Sequence, residues 1–321
     1  MAASTDRIIA IEEHFIDSTF VAVPGAGMPG MAPALADRLA DIVGQRVAEM
    51  DAAGIDVQVL SHQSPGSQRL SPEDAVAACV GVNDRLAVAI ALAPDRFAGF
   101  AMLPTTAGAD AAADELQRAV EECGLKGGMI HGQSAGRFID TPEFWPIFAR
   151  AEAMGVPIYL HPSLPDKSVI AAYYATYAET HPALIRAAWG FGLETGTQAV
   201  RLILSGLFDT HPDVQVILGH LGESIPFQLV RIDKSLQREG NTPIRFAETF
   251  RNNFHVTTSG FFSDPALRCC IEELGVERIM FAVDWPYVRN DDGANWMRAF
   301  DLASADKARI LGGNAQALLR L

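Results

Sequence analysis

The sequence predicts a single-domain (β/α)8 barrel, the TIM-barrel fold of the α/β class, over residues 1–321. Eight short apolar runs recur along the chain, and most are nearly continuous, which is typical of strands covered on both faces. Segments with helical periodicity separate the runs, and 321 residues are enough for eight such units. The alternative, an open doubly wound sheet, usually has a glycine-rich turn after its first strand, whereas residues 11–15 carry a Glu-Glu-His sequence here.

The predicted strands and helices alternate along almost the whole chain. The strands occupy residues 7–12, 56–61, 97–103, 125–131, 156–161, 214–219, 254–259 and 278–283. The helices between them occupy residues 35–53, 72–93, 109–123, 142–154, 184–208, 225–237 and 264–274. Residues 302–321 are expected to form a closing helix. This order favours the barrel, because each parallel strand pair needs a helical crossover.

Charge and composition argue against several classes of partner. The chain has 25 Lys and Arg against 39 Asp and Glu, a net charge of −14, and no basic run, so nucleic-acid binding is not expected. No apolar run approaches the about 18–20 residues that span a bilayer, and the N-terminus carries no apolar leader, so no membrane association is expected. The four cysteines lack a CxxC spacing and are expected to be reduced thiols, which makes the cytoplasm the expected location.

Residues able to bind a metal follow four of the predicted strands, at the end that forms the active-site face of a barrel. They are Glu12 and His14 after the first strand, His161 after the fifth, His220 after the sixth and Asp284 after the eighth. Residues two apart on a strand share a face, so Glu12 and His14 project together while Glu13 points away. Carboxylates and imidazoles suit Zn²⁺ or Mn²⁺, with Mg²⁺ a further candidate, so the four strand ends predict a metal site.

The strand ends also bear on the number of metal ions and on cofactors. A carboxylated lysine at the end of the fourth strand would bridge two ions, but Lys126 lies at the start of that strand and His131 at its end. One divalent ion is therefore expected. The missing dinucleotide-binding turn after the first strand leaves hydride chemistry without its usual binding site, and no organic cofactor is expected. His62 and His131 end the second and fourth strands, and both are expected to line the substrate pocket.

Several strand-end motifs together resemble the amidohydrolase superfamily, in its branch of nonoxidative aromatic acid decarboxylases. They are Glu-Glu-His-Phe at 12–15, Tyr-Leu-His-Pro at 159–162, Ile-Leu-Gly-His-Leu-Gly-Glu at 217–223 and Asp-Trp-Pro at 284–286. Secondary matches lie at 191–195, 205–209, 257–260 and 314–315. The resemblance covers almost the whole chain.

The resemblance implies roles for individual residues. It implies that one divalent ion is surrounded by Glu12, His14, His161 and Asp284. It implies that His220 and Glu223 form a pair beside the ion, and that Arg231 lies near the substrate or a subunit contact. It also suggests a homo-oligomer, either a tetramer or a dimer.

The activity implied by the resemblance is reversible, nonoxidative decarboxylation of an ortho-hydroxy aromatic carboxylic acid. The ring carbon that carries the carboxylate must be protonated before CO₂ leaves. Asp284 is the candidate proton donor, with His220 beside it and Glu223 fixing the imidazole of His220. Hydrolysis of an amide, lactone or ester is the alternative, because the same residues would serve a metal-bound water. A noncatalytic barrel that binds a small aromatic ligand is the third hypothesis.

Overall fold

The computed structural model describes residues 7–26 and 31–321, and these contain nine short parallel strands. The strands are β1 (Ile9–Phe15), β2 (Val57–His62), β3 (Phe97–Gly99), β4 (Ala101–Met102), β5 (Gly128–His131), β6 (Ile158–His161), β7 (Val216–Leu218), β8 (Phe254–Thr257) and β9 (Ile279–Met280). All eight predicted strand regions contain a strand, and β3 and β4 share the third. The start of the predicted first strand is shortened, and residues 1–6 lie outside the described part of the chain.

The helices alternate with the strands as the sequence predicts. They are α1 (Pro33–Ala40), α2 (Gln45–Ala53), α3 (Pro72–Leu92), α4 (Ala109–Glu121), α5 (Trp145–Met154), α6 (Lys167–Val169), α7 (Ala175–Ala178), α8 (Gly190–Leu204), α9 (Leu207–Thr210), α10 (His220–Glu223), α11 (Ile225–Leu236), α12 (Phe246–Asn253), α13 (Asp264–Leu274), α14 (Asn290–Ala299), α15 (Ser304–Ala308) and α16 (Asn314–Leu319). The predicted helices at 35–53 and 184–208 are each interrupted, the first between α1 and α2 and the second before α8 and between α8 and α9.

The strands pair in parallel in the orders β1-β2-β3 and β4-β5-β6-β7-β8-β9. The third strand changes partners at Phe100, whose N–H donates to Leu60 O at 2.9 Å, while the Ala101 N–H donates to Gly127 O at 2.8 Å. On the other side, the N–H of Ile11 donates to Phe281 O at 3.2 Å, which joins the first strand to the segment after β9. The (β/α)8 prediction is confirmed, although the regular ladder stops at these two places and does not close the barrel by continuous strand pairing.

Alternate side chains of the strands fill the barrel interior, and the others pack against the helices. The interior cluster comprises Ile9, Ile11, Val57, Val59, Ala98, Phe100, Met129, Tyr159, Ile217, Met280 and Ala282. Ala315 and Leu319 of α16 join this cluster, so the C-terminal helix closes one end of the barrel. Because α16 lies beside the strand starts, where Lys126 Nζ donates to Arg320 O, the site must open at the opposite end.

Helix α3 lies where the sequence predicts a helix, but its apolar composition was not expected. It is the one helix in the described residues that is long and apolar enough to cross a membrane by length and composition, so the expectation of no apolar segment of that length is wrong. Asn83 ties this helix to the barrel, since its Nδ2 donates to Met102 O at 3.0 Å and its Oδ1 accepts the Met102 N–H at 2.9 Å. Helices that pack on soluble cores have the same composition, so this one helix is weak evidence of a membrane segment.

Candidate active site

The first strand brings Glu12 and His14 to the same face of the sheet. The register of β1 against β2 shifts between Ala10 and Glu13, where β1 advances three residues and β2 advances two, from Gln58 to Leu60. Glu12 lies within this irregularity, which brings Glu12 and His14 to the inner face that Ile9 and Ile11 also occupy, while Glu13 lies on the opposite face. The prediction from the Glu-x-His spacing is consistent with this geometry.

Four of the predicted residues converge in a group called here the metal cluster: Glu12, His14, His161 and Asp284. One potential ligand atom from each lies within 4.8 Å of the other three. His14 Nε2 is 3.3 Å from Asp284 Oδ1, and His161 Nε2 is 3.4 Å from Glu12 Oε1. Two carboxylates and two imidazoles at this spacing form a group able to bind one divalent metal ion.

The carboxylate of Glu12 is held so that one oxygen is left available. Its Oε2 accepts hydrogen bonds from the hydroxyls of Ser259 at 2.6 Å, Thr257 at 3.3 Å, and Tyr159. Its Oε1 is buried and has no hydrogen-bond partner among the described residues. Since an unpaired buried carboxylate oxygen is costly, this oxygen fits the role of a metal ligand.

The two histidines are oriented in the same manner. His14 Nδ1 lies 3.2 Å from Ser61 Oγ, and His161 Nδ1 lies 2.8 Å from Pro162 O, so the Nε2 atom of each ring faces the metal cluster. His14 Nε2 is buried with no hydrogen-bond partner in the described part of the chain. Burial lowers the pKa of His14, which favours the neutral imidazole that a metal ion requires. The residues present therefore fit a divalent ion.

His220 and Glu223 lie beside the metal cluster as a pair. His220 Nδ1 is 2.9 Å from Glu223 Oε1, and its Nε2 is 3.8 Å from Glu12 Oε1. Burial would lower the pKa of His220, but the surrounding carboxylates, Glu223 first, outweigh it and raise the pKa to about 10. The pairing fixes the imidazole and presents its Nε2 toward the cluster.

The backbone around His220 has an unusual conformation. Residues 220–224 all have positive φ, with 50° at His220, 52° at Glu223 and 67° at Ser224. Each non-glycine residue in this region costs on the order of 1–2 kcal/mol, so packing and hydrogen bonds must hold the segment. One such bond runs from the His220 N–H to Ser259 Oγ, at 3.1 Å.

Asp284 and His220 open onto a cavity of about 250 Å³, which also has His161 in its wall. The rest of the wall is Ser64, Pro65, Arg69, Pro162, Ser163, Leu164, Arg186, Ala187, Phe191 and Tyr287. A cavity of about 150 Å³ holds one benzene ring, so the space suits a single substituted ring. Five of these thirteen residues are apolar, and the charged or titratable ones include two members of the metal cluster, His220 and the two arginines.

None of the three predicted substrate-binding residues is in the wall of this cavity. His62 is buried against the rings of Phe15 and Phe20 and does not line the cavity. His131 is buried with its ring centroid 4.9 Å from that of His161 and is not among the residues of the cavity wall. Arg231 is exposed on α11 and is not part of the cavity wall. Their roles toward a substrate remain predictions.

No role was predicted for three residues that bind Glu12 or for the two arginines of the cavity wall. Tyr159, Thr257 and Ser259 bind Glu12, while Arg69 and Arg186 face the cavity. The signal for Tyr159 was its position two residues before His161, which places both on the inner face of the fifth strand. Arg69 and Arg186 lie in loops, where no periodicity indicates which way a side chain points.

Comparisons with known proteins agree with the motifs. The amidohydrolase family profile matches residues 11–321. The chain is 37% identical over 326 residues to gamma-resorcylate decarboxylase from Rhizobium radiobacter, an alignment that covers 98% of each protein. These matches confirm that the resemblance to the amidohydrolases extends over the whole barrel.

Solved structures give the same result. A dihydroxybenzoic acid decarboxylase from Polaromonas, with bound manganese and the inhibitor 2-nitroresorcinol, superposes with a TM-score of 0.88 at 37% identity, covering 98% of this chain and 97% of that chain. The 5-carboxyvanillate decarboxylase from Sphingomonas paucimobilis superposes with a TM-score of 0.89 at 35% identity, covering 98% and 99%. The whole barrel is therefore shared with proteins of this kind.

Proposed function

Because the chain belongs to the amidohydrolase family, we propose that it is a metal-dependent, nonoxidative decarboxylase of an ortho-hydroxy aromatic carboxylic acid. The observation that carries the proposal is the metal cluster, which lies beside the His220–Glu223 pair at a cavity of single-ring size. Full-length similarity to gamma-resorcylate decarboxylase supports carboxy-lyase activity over the hydrolysis of an amide, lactone or ester. The four ligands by themselves serve both chemistries equally well.

Glu12, His14, His161 and Asp284 would hold one divalent ion. When bound, the ion would supply positive charge for the substrate's carboxylate and ortho oxygen, and would fix the orientation of the ring. The mixed nitrogen and oxygen donors suit Zn²⁺ or Mn²⁺, with Mg²⁺ less well matched. Manganese is favoured because it is bound in the Polaromonas relative.

The residues of this chain account for the movement of the proton. Asp284 lies at the cavity, where its carboxylate takes the proton of the substrate's ortho hydroxyl and delivers it to the ring carbon that carries the carboxylate, so an O–H bond breaks and a C–H bond forms. The bond from this carbon to the carboxylate then breaks, CO₂ leaves, and the electron pair of the broken bond restores the aromatic ring. His220 presents Nε2 to the same space, since its Nδ1 is engaged by Glu223, and it stabilises the charge on the reacting group.

Release of CO₂ from a panel of hydroxybenzoates tests the proposal. The manganese-loaded protein is expected to act on ortho-hydroxy acids without oxygen, nicotinamide or pyridoxal phosphate. Moving the hydroxyl to the para position should abolish turnover, because the ring loses its orientation at the cluster. Hydrolysis of lactones or amides without CO₂ from any hydroxybenzoate would establish the alternative activity instead.

We propose further that the chain acts in the cytoplasm as a homo-oligomer, a dimer or a tetramer. Several apolar side chains are exposed, among them Phe227 and Phe261, which line one surface groove, and Val230, which lies one turn after Phe227 on α11. Contiguous apolar surface of this kind is typical of protein contacts. Measurement of the mass in solution by light scattering tests this, and a monomer at micromolar concentration would contradict it.

A further inference from the structure

A buried arginine of α2 contacts two segments that carry members of the metal cluster. Arg46 is the second residue of this helix, and its side chain is fully buried. It is not in the wall of the cavity, so it does not contact a substrate there. Taking a guanidinium out of water is costly unless its N–H groups find acceptors, so the contacts of this side chain indicate what it does.

The guanidinium of Arg46 binds the backbone of one member of the metal cluster. Its Nη2 donates to His14 O at 2.5 Å. Its Nη1 donates to Gln58 Oε1 at 3.1 Å, and its Nε donates to Asp41 O at 3.3 Å. Because three different nitrogens are engaged, the plane of the guanidinium is held in one orientation against β1.

The same guanidinium lies over the ring of Trp285, which directly follows Asp284 of the metal cluster. The Cζ atom of Arg46 is 3.8 Å from the centre of this fully buried indole ring. A guanidinium at this distance is attracted by the negative face of the ring. Trp285 Nε1 donates to Glu49 Oε2 at 2.6 Å, so two residues on one face of α2, three positions apart, hold the indole.

One side chain therefore connects the two segments whose ligands meet at the cluster. The segments also contact each other directly, since the His14 N–H donates to Trp285 O at 2.7 Å. His14 Nε2 and Asp284 Oδ1 are 3.3 Å apart, and this distance depends on how the two backbones are oriented. A single backbone hydrogen bond leaves the segments free to rotate about it. The bridge through Arg46 adds a second point of attachment, and two points fix an orientation.

We propose that Arg46 is a positioning residue for the metal cluster. By binding His14 O and the Trp285 ring together, it holds the two ligand-bearing segments at the separation that one divalent ion needs. The proposal rests on the metal cluster of the proposed function and not on the reaction that the ion serves. A lysine would keep the positive charge but could not replace this bridge, because an ammonium group has neither the planar face nor the fork of donors.

Manganese affinity, measured by competition with a chelator, tests the proposal without turnover. Arg46→Lys is expected to weaken manganese binding about ten-fold, within the usual contribution of groups that orient metal ligands. Arg118→Lys is the matched control. This partly buried arginine bonds Glu115 on α4 at 2.8 Å, so its replacement should lower the melting temperature and leave the manganese affinity unchanged. Normal manganese affinity in a folded Arg46→Lys protein would overturn the proposal, because the arginine would then only hold α2 to the barrel.

A double-mutant cycle shows whether the two contacts of Arg46 act as one bridge. Trp285→Leu removes the aromatic face and should also weaken manganese binding. The combined variant should then bind manganese about ten-fold more tightly than the product of the two single effects predicts, since both substitutions break the same bridge. Effects that simply multiply would overturn the proposal. If circular dichroism shows that Arg46→Lys is unfolded, Trp285→Leu decides alone, and unchanged affinity there would also overturn it.

The outcomes separate this proposal from the proposed function. Weakened manganese binding in the variants, with no CO₂ released from any hydroxybenzoate by the unchanged protein, would reject the reaction and leave the positioning role standing. An unchanged protein that binds no manganese would reject the metal cluster and the positioning role together.

Discussion

The carboxylate of Glu13 fixes the position of Asp284 by accepting the backbone N–H groups on both sides of it. Glu13 Oε1 accepts the N–H of Val283 at 2.8 Å, and Glu13 Oε2 accepts the N–H of Trp285 at 3.0 Å. Asp284 between them has a φ of 72°, a conformation that a non-glycine residue rarely adopts. A residue that faces away from the metal cluster therefore determines where one member of the cluster lies.

Glu13→Gln should lower kcat at least about ten-fold while leaving the barrel folded. The amide has one acceptor oxygen, and its NH₂ group would face one of the two N–H donors. The donor left without a partner costs about 1–3 kcal/mol, and the backbone around Asp284 would shift to relieve it. The measurements are kcat, KM and manganese content in parallel with the melting temperature. Glu239→Gln, on the exposed segment after α11, is the matched control. Unchanged kcat in Glu13→Gln would show that Asp284 keeps its position without this contact.

His14→Ala and His161→Ala should each lose manganese and activity together. Each substitution removes one of four ligands, while the hydrogen bonds that hold Glu12 and the strand pairing remain. Elemental analysis of the purified variants gives the metal content, and circular dichroism verifies the fold. His181→Ala, at an exposed histidine, is the control and should retain both metal and activity. Full metal content in both cluster variants would refute the assignment.

His220→Asn should retain most of its manganese and lose turnover by about 100-fold or more, the usual contribution of a positioned acid or base. The reason is that His220 Nε2 is 3.8 Å from Glu12 Oε1 and lies outside the group of four atoms that converge. Glu223→Gln should have a smaller effect in the same direction, because an amide still orients the imidazole. Parallel loss of metal and activity in His220→Asn would place this residue among the ligands.

The sequence predicted the barrel and the metal cluster because both depend on local pattern. Apolar runs and strand-end positions indicated five metal-capable residues, Glu12, His14, His161, His220 and Asp284, and the resemblance to the decarboxylase branch reduced the expected ligands to the four without His220. The role of Glu13 was not predictable, because its partners are backbone groups 270 and 272 positions away. The placement of Arg69 and Arg186 in the cavity wall was not predictable either, since it depends on two loops without periodicity. His62 was expected in the pocket but packs against Phe20, because a strand-end position does not fix which way the last side chain turns.

Gly219→Ala should weaken manganese binding without unfolding the barrel. A Cβ at this position would lie 2.6 Å from Glu12 Oε2 and 3.0 Å from Ser259 Oγ, closer than real contacts allow. Glu12 would have to move, and the hydrogen bonds that leave its Oε1 available would change. Manganese affinity is measured by competition with a chelator. Gly313→Ala, whose nearest neighbour would be at an ordinary 3.6 Å, is the control. Equal affinity in both variants would mean that Glu12 tolerates the displacement.

The stability of the fold should fall as the pH is lowered through the range in which His255 titrates. His255 is buried, with Nε2 3.0 Å from Arg278 Nη1 and 3.2 Å from Gln215 Oε1. Burial and then the charge of Arg278 lower the pKa of His255 to about 3, against an ordinary value of 6.5. The unfolded chain therefore takes up the proton first, and the contribution to the free energy of unfolding is complete above about pH 6.5 and declines toward pH 3.

Between about pH 7 and pH 5 this one histidine should account for a loss of about 2 kcal/mol in the free energy of unfolding. His255→Gln removes the titrating group, so its unfolding free energy should fall less over the same interval, whatever its value at neutral pH. Urea unfolding of both proteins at the two pH values gives the difference, and other titrating groups cancel in the comparison. His181→Gln, at an exposed histidine, should lose as much stability as the unchanged protein. A His255→Gln variant with the same pH dependence as the unchanged protein would show that the buried imidazole is protonated without cost, in conflict with its position against Arg278.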